Sequence, residues 1–269
     1  MSEVSSERSL EGLWLSRLAL NPERRDTWSD VADCHAMHRR LLMAFPYLPE
    51  VTQPREHVGL LYRIEPLSEQ RISVLAQSGV APDWSRLPIG YLLAPPEVKL
   101  LAPLYAALQP GMELVFRLQA NPTRRIGAHN RHETAAWRGK RVEVRGIQAQ
   151  LDWLQRKAEA AGFSVVDAHI RTNRGSAAQP DRRSDRLATA RAGAQNRAQT
   201  EKQGAERVAG WRAGTGDLTL ASALFEGRLR ITDLAAFRAA LAAGIGSGKA
   251  FGFGLLSIAP TTRSALVVR

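Results

Sequence analysis

LWLSRLALNPERRDTWSDVADCHAMHRRLLMAFP, residues 13–46, carries two periodicities side by side, and the order of the two decides the fold. Leu13 to Leu20 read as a strand with one buried face. Val31, Cys34, Met37, Leu41 and Leu42 recur at helical spacing, which predicts an amphipathic helix from Asp30 to Ala44 that ends before Pro46. Working outward, Val58 to Ile64 and Arg71 to Gln77 are two short strand-like runs with a Pro and Ser connection. Tyr91 to Ala94 follows as a further strand, after a turn around Trp84. The order is β-α-β-β-(short α)-β.

A second cycle repeats that plan. Glu113 to Ala120 alternates as a strand, Ile147 to Ala161 is a helix stopped at Gly162, and Phe163 to Ala168 is the next strand. Leu218 to Phe225 and Gly227 to Ile231 read as a further strand or hairpin. Asp233 caps a helix to Ala243, and Phe253 to Ala259 closes the cycle. The expected fold is therefore α+β, with two tandem ferredoxin-like (RRM-like) βαββαβ domains. The first spans 11–100 and the second 112–260. The Pro-rich stretch around 101–111 is the linker between them.

Of 269 residues, 44% are apolar, enough for two such cores, and 37 basic against 26 acidic residues leave a net charge of +11. A polyanion is the partner that this charge favours, nucleic acid first, although 32 arginines against 5 lysines also fit a GC-rich genome. One cysteine, Cys34, excludes an intrachain disulfide framework and a multi-cysteine zinc module. No signal peptide and no uninterrupted apolar run of membrane-spanning length is present, so the expectation is a cytoplasmic chain with no membrane contact.

Three stretches carry candidate chemistry. In the first helix, His35 and His38 are three residues apart, a spacing that places both rings toward one phosphate, with Arg39 and Arg40 beside them. Histidine titrates near neutral pH and suits either proton transfer in RNA cleavage, while the arginines can stabilise a crowded phosphorane. A helix histidine beside Met37 and Leu41 is equally a packing residue, and both readings stand here. Cys34 and His38 are four apart, but no second cluster completes a metal site.

The second stretch is Gly244-Ile-Gly-Ser-Gly-Lys-Ala-Phe-Gly-Phe-Gly254, where Gly246, Gly248 and Lys249 can approach phosphates. It is no P-loop, because Ala243 and Ala250 stand where that motif needs Gly and Ser or Thr. Lys249-Ala-Phe-Gly-Phe resembles an RNP1 segment, in which Phe251 and Phe253 either stack on bases or belong to the core. The third stretch, Asn121-Pro-Thr-Arg-Arg125, offers Arg124 and Arg125 to an RNA stem or forms a solvated turn. Between 171 and 216, ten basic residues stand against four acidic, Arg171, Arg174, Arg182 and Arg183 among them, with few large apolar side chains. That insertion reads as disordered, or as a basic arm that orders on RNA.

Taken in order, HxxHRxL followed by Phe45-Pro46, LxxRxE from Leu60 to Glu65, FRLQANPTRR, ALFEGRL and GIGSGKAFGFGLLSIAP resemble the CasE family, the CRISPR-associated endoribonucleases of type I-E systems. The resemblance runs from about Leu13 to Pro260. It implies metal-independent, cofactor-free cleavage of precursor CRISPR RNA at the base of the repeat hairpin, yielding 2′,3′-cyclic phosphate and 5′-hydroxyl ends. It also implies retention of the product among the other Cascade subunits, with the free protein a monomer. His38 matches the family's catalytic histidine. His35 stands where members often have tyrosine, and Met43 where some have lysine. The alternative is a non-catalytic RNA hairpin-binding subunit, whereas a DNA-binding regulator finds no helix-turn-helix in the chain.

Overall fold

The computed structural model describes residues 12–46, 58–68, 71–126, 141–171 and 222–261. In the N-terminal half, β1 (Trp14–Leu20) leads to helices α1 (Arg25–Ala32) and α2 (Cys34–Leu42), then to β2 (Leu61–Ser68), β3 (Arg71–Ser78) and β4 (Glu97–Leu100). These strands form one antiparallel sheet in the order β2-β3-β1-β4, the order that a ferredoxin-like βαββαβ chain produces. A single 3-10 turn, Trp84–Arg86, takes the place of the second crossover helix. Its Trp84 is buried and donates Nε1-H to Ser16 Oγ at 2.9 Å.

Two local expectations change. The helix expected from Asp30 to Ala44 is two helices, because Asp33 lies in extended backbone (φ −123°, ψ 109°) and its carboxylate accepts the His35 N–H at 2.8 Å. A short side-chain acceptor competing for a backbone donor ends one helix and caps the next. The fourth strand is Glu97–Leu100 rather than Tyr91 to Ala94. Tyr91 is instead buried, its carbonyl accepting from Asn21 N and its hydroxyl donating to Asp30, which anchors the chain before it reaches the sheet edge.

After a short helix α3 (Ala102–Ala106), the C-terminal half runs β5 (Glu113–Ala120), β6 (Thr123–Arg125), β7 (Arg141–Glu143), α4 (Ile147–Ala160), β8 (Phe163–Arg171), β9 (Ala223–Ile231), α5 (Leu234–Ala243) and β10 (Leu256–Pro260). The second sheet is antiparallel in the order β10-β5-β9-β8, so the same topology recurs. The run Ala223–Ile231 is one strand across Gly227, not two: a Cβ at 227 would meet the Asp167 carbonyl, and glycine lets the neighbouring strand pass. In 101–111, Leu101, Tyr105 and Leu108 are buried with the second core.

The two halves are joined by a polar seam as well as by apolar packing. Arg63, only 3% exposed, donates to Glu65, to the carbonyls of Arg117 and Leu255 at 3.3 Å each, and to Ser257 Oγ at 3.0 Å. Arg117 in turn pairs with Glu65 and with Glu226. Burial lowers the Arg63 guanidinium from its usual value, yet four acceptors satisfy it, the condition under which a buried charge is tolerated. The LxxRxE phrase is thus the interdomain seam.

Candidate active site and nucleic-acid interface

Helix α2 presents its apolar side, Cys34, Met37 and Leu41, to the first core. His38 lies on the margin of that side at 9% exposure, with its ring stacked on Tyr62 (centroids 6.2 Å, 26° between planes). His35, one turn earlier, is exposed and meets Phe251 edge to face at 4.7 Å. Burial pushes the Cys34 thiol up, with the neighbouring Asp33 charge adding to it, so this side chain is a buried hydrophobe rather than a nucleophile.

The two arginines of α2 part company. Arg39 is exposed. Arg40 donates Nε-H to the buried Asp30 at 2.7 Å and lies 4.9 Å above the Tyr91 ring, a placement that ties α1, α2 and the Tyr91 loop together. The structure therefore gives Arg40 a packing role in addition to the phosphate contact expected of it. The Tyr91 phenol is pushed well above its ordinary range by burial and by the Asp30 charge.

The glycine-rich loop of the second half crosses to this helix. After α5 the chain runs through Gly246 and Gly248, both at positive φ, into a 3-10 turn, Lys249–Phe251, that packs on α2 and β2. Phe253 resolves the RNP1 question: it is fully buried in the first core and is not available for base stacking. Phe251 is half-buried against His35. Gly246 passes over Trp153, where a Cβ would stand 3.2 Å from the indole, so the loop needs glycine there for close approach as well as for its φ of 84°.

On the other side of the loop, β6 and β7 form a two-stranded ribbon that the sequence did not reveal, since its partners are sixteen or more residues apart across undescribed residues. Arg124, Arg125, Arg141 and Lys157 line a pocket of about 300 Å³, with Thr123, Ser247, Gly246 and Trp153. Arg125 and Arg141 are a directly opposed cross-strand pair. Like charges in that position destabilise a ribbon, so two arginines there make physical sense as receivers of an anion. Thr123 and Ser247 hydroxyls meet at 3.2 Å and tie ribbon to loop.

Of the expected site residues, then, Arg124, Arg125 and Gly246 converge in the pocket, and His35, His38 and the Lys249 turn gather at α2. Gly248 starts that turn. Arg171 is exposed at the end of β8 and is not in the pocket. Arg174, Arg182 and Arg183, with the rest of the insertion, lie outside the described residues. Missed were Arg141 and Lys157; a Lys157 on the helix face next to Trp153 was the available signal. Among the described residues no three His, Cys, Asp or Glu side chains cluster, and no helix is long and apolar enough to cross a membrane.

A family model described as "CRISPR associated protein" matches residues 13–260. The chain is 36% identical over 250 residues to the CRISPR-associated endoribonuclease Cse3 of Thermus thermophilus, covering 92% of this chain and 100% of that protein. It is 27% identical to the Cascade subunit CasE of Escherichia coli, over 87% of this chain and 94% of that one. Among solved structures, Thermus thermophilus Cse3 bound to an RNA representing a pre-cleavage complex superposes with a TM-score of 0.66 at 30% identity, covering 93% of this chain and 100% of that chain. With its two ferredoxin-like sheets and a match that spans both, this chain belongs to the CRISPR-associated protein family, in its CasE branch.

Proposed function

We propose that the protein is an endoribonuclease that cuts precursor CRISPR RNA at the base of the repeat hairpin and stays on the guide RNA within a Cascade assembly. The observation that carries this reading is the opposed Arg125–Arg141 pair, joined by Arg124 and Lys157 around one pocket, beside a glycine-rich loop that reaches the histidine helix. The ribbon and pocket receive the phosphates of the stem. The scissile phosphate lies toward His35, His38 and Lys249.

The nucleophile is the RNA's own 2′-hydroxyl. One imidazole takes its proton as the oxygen attacks phosphorus, and a protonated group donates to the departing 5′-oxygen, leaving a 2′,3′-cyclic phosphate and a 5′-hydroxyl. His38 performs one of these transfers, and His35, one helical turn away, performs the other. Arg39 and Lys249 supply positive charge to the phosphorane. Because the attacking oxygen belongs to the substrate, the reaction does not call for a metal-bound water. Cleavage of a labelled repeat RNA in the presence of a chelator should proceed with wild type and fail with His38→Ala. Full activity in the mutant, or none from wild type in chelator, would reject the assignment.

The 9% exposure of His38 is the observation that favours the second reading, a hairpin-binding subunit without chemistry. Tight hairpin binding by a wild type that never cuts would select it.

A further inference from the structure

Tyr62 sits on β2 where the two halves meet and is fully buried. Its ring stacks on His38. Its hydroxyl lies 3.0 Å from the Cys34 carbonyl and 3.4 Å from the Ala250 carbonyl. The first of these oxygens is the i−4 acceptor for the His38 amide in α2, so the hydroxyl is attached to the helical turn that carries the histidine. The second belongs to the Lys249–Phe251 turn of the other half.

Two further features tighten the contact. A Cβ on Gly252 (φ 81°) would come within 3.1 Å of Tyr62 Cε2, so the loop already lies against the ring. On the opposite face of the strand the next residue, Arg63, grips β5 through the Arg117 carbonyl and β10 through Ser257 Oγ. Burial pushes the Tyr62 phenol far above its ordinary value, so it stays protonated, its one proton shared between the nearer Cys34 carbonyl and the Ala250 carbonyl, and does not act as an acid or base.

We infer that Tyr62 is a positioning residue for RNA cleavage: its ring and hydroxyl clip the His38 helix to the glycine-rich turn of the second domain and so set the distance between the proton-transfer group and the phosphate-holding loop. The inference rests on the proposed endoribonuclease reading. Proton transfer needs heavy atoms within about 3 Å, and a misplacement of about 1 Å can cost on the order of a hundredfold, so a clip across two domains acts on rate more than on affinity.

Tyr62→Phe keeps the ring and removes only the hydroxyl. In single-turnover cleavage with excess protein, its rate constant should fall about tenfold or more while the hairpin Kd stays within about twofold. Amide hydrogens of 245–253 should exchange faster than in wild type. Gly252→Ala, which presses on the same ring from the loop side, should show the same split, and the double variant should lose less than the product of the single losses.

Wild-type cleavage rates in Tyr62→Phe would overturn the inference. So would a loss in Kd that accounts for the whole loss in rate, since that marks an ordinary packing residue. A wild type that binds the hairpin without cutting it would overturn the endoribonuclease reading, and this inference with it. An active wild type beside an unimpaired Tyr62→Phe would overturn this inference alone.

Discussion

Replacing Arg125 and Arg141 with glutamine tests the nucleic-acid interface where its geometry is most constrained. The two side chains are cross-strand neighbours on β6 and β7 and line one pocket with Arg124 and Lys157. Each phosphate neutralised by a protein cation contributes about 0.9 to the slope of log affinity against log salt for a duplex. Two contacts therefore account for about 1.8, and over a fourfold rise, from about 50 to about 200 mM salt, that is about twelvefold in affinity. Fluorescence anisotropy on a labelled repeat hairpin should show wild type losing about twelvefold more affinity than the double variant across that range. Because the opposed guanidiniums repel each other, the variant's melting temperature should hold or rise. Parallel slopes would show that these arginines do not meet phosphate. A lower melting temperature would show that the pair is held for packing, and either result refutes the reasoning.

Other consequences follow from the interdomain contacts. Phe253→Ala removes a fully buried ring carried by the second domain into the first domain's core, and should cost about 3–5 kcal/mol in urea unfolding, against the near-neutral effect of a surface aromatic. Burial alone would raise the Glu65 carboxyl, but its hydrogen bonds and charge interactions with Arg63 and Arg117 outweigh that and hold it below the ordinary glutamate value of 4.5. A depressed folded-state value gives stabilisation that is present above the unfolded-state value and lost as pH falls through the folded one. Glu65→Gln should therefore flatten the fall in melting temperature between about pH 5 and about pH 3, and an unchanged acid profile would count against the seam. The Cys34 thiol, buried and raised by that burial, should react with iodoacetamide only on unfolding; rapid labelling of the native protein would contradict its placement.

Much of the fold was legible because it is written in local periodicity. The alternation in Glu113–Ala120 and the helical spacing in Ile147–Ala160 each survive as strand and helix, and Asp233 caps α5 by accepting from Ala236 N. Where local signals compete, the reading slipped by a few residues: Asp33 carries both a helical position and a capping carboxylate, and the cap wins. The Tyr91 segment looks like a strand because a buried tyrosine and a strand tyrosine have the same apolar pattern.

The site divides along the same line. From the sequence alone came the order β-α-β-β-α-β twice over, the pairing of His35 with His38 on one helix, and a glycine-rich loop that lets the backbone approach a phosphate, since these depend on neighbours within a turn or a strand. The tertiary structure alone decided that Tyr62 and Ala250, 188 residues apart, touch at the histidine helix. It also decided that Phe253 belongs to the other domain's core, that Arg40 serves Asp30, and that Arg125 faces Arg141. Those outcomes turn on register and on which surfaces meet, and neither is encoded in the spacing of residues along one element. They are set by the packing of two cores against each other, where a buried arginine, a glycine or an aromatic ring finds its partner far away in the chain.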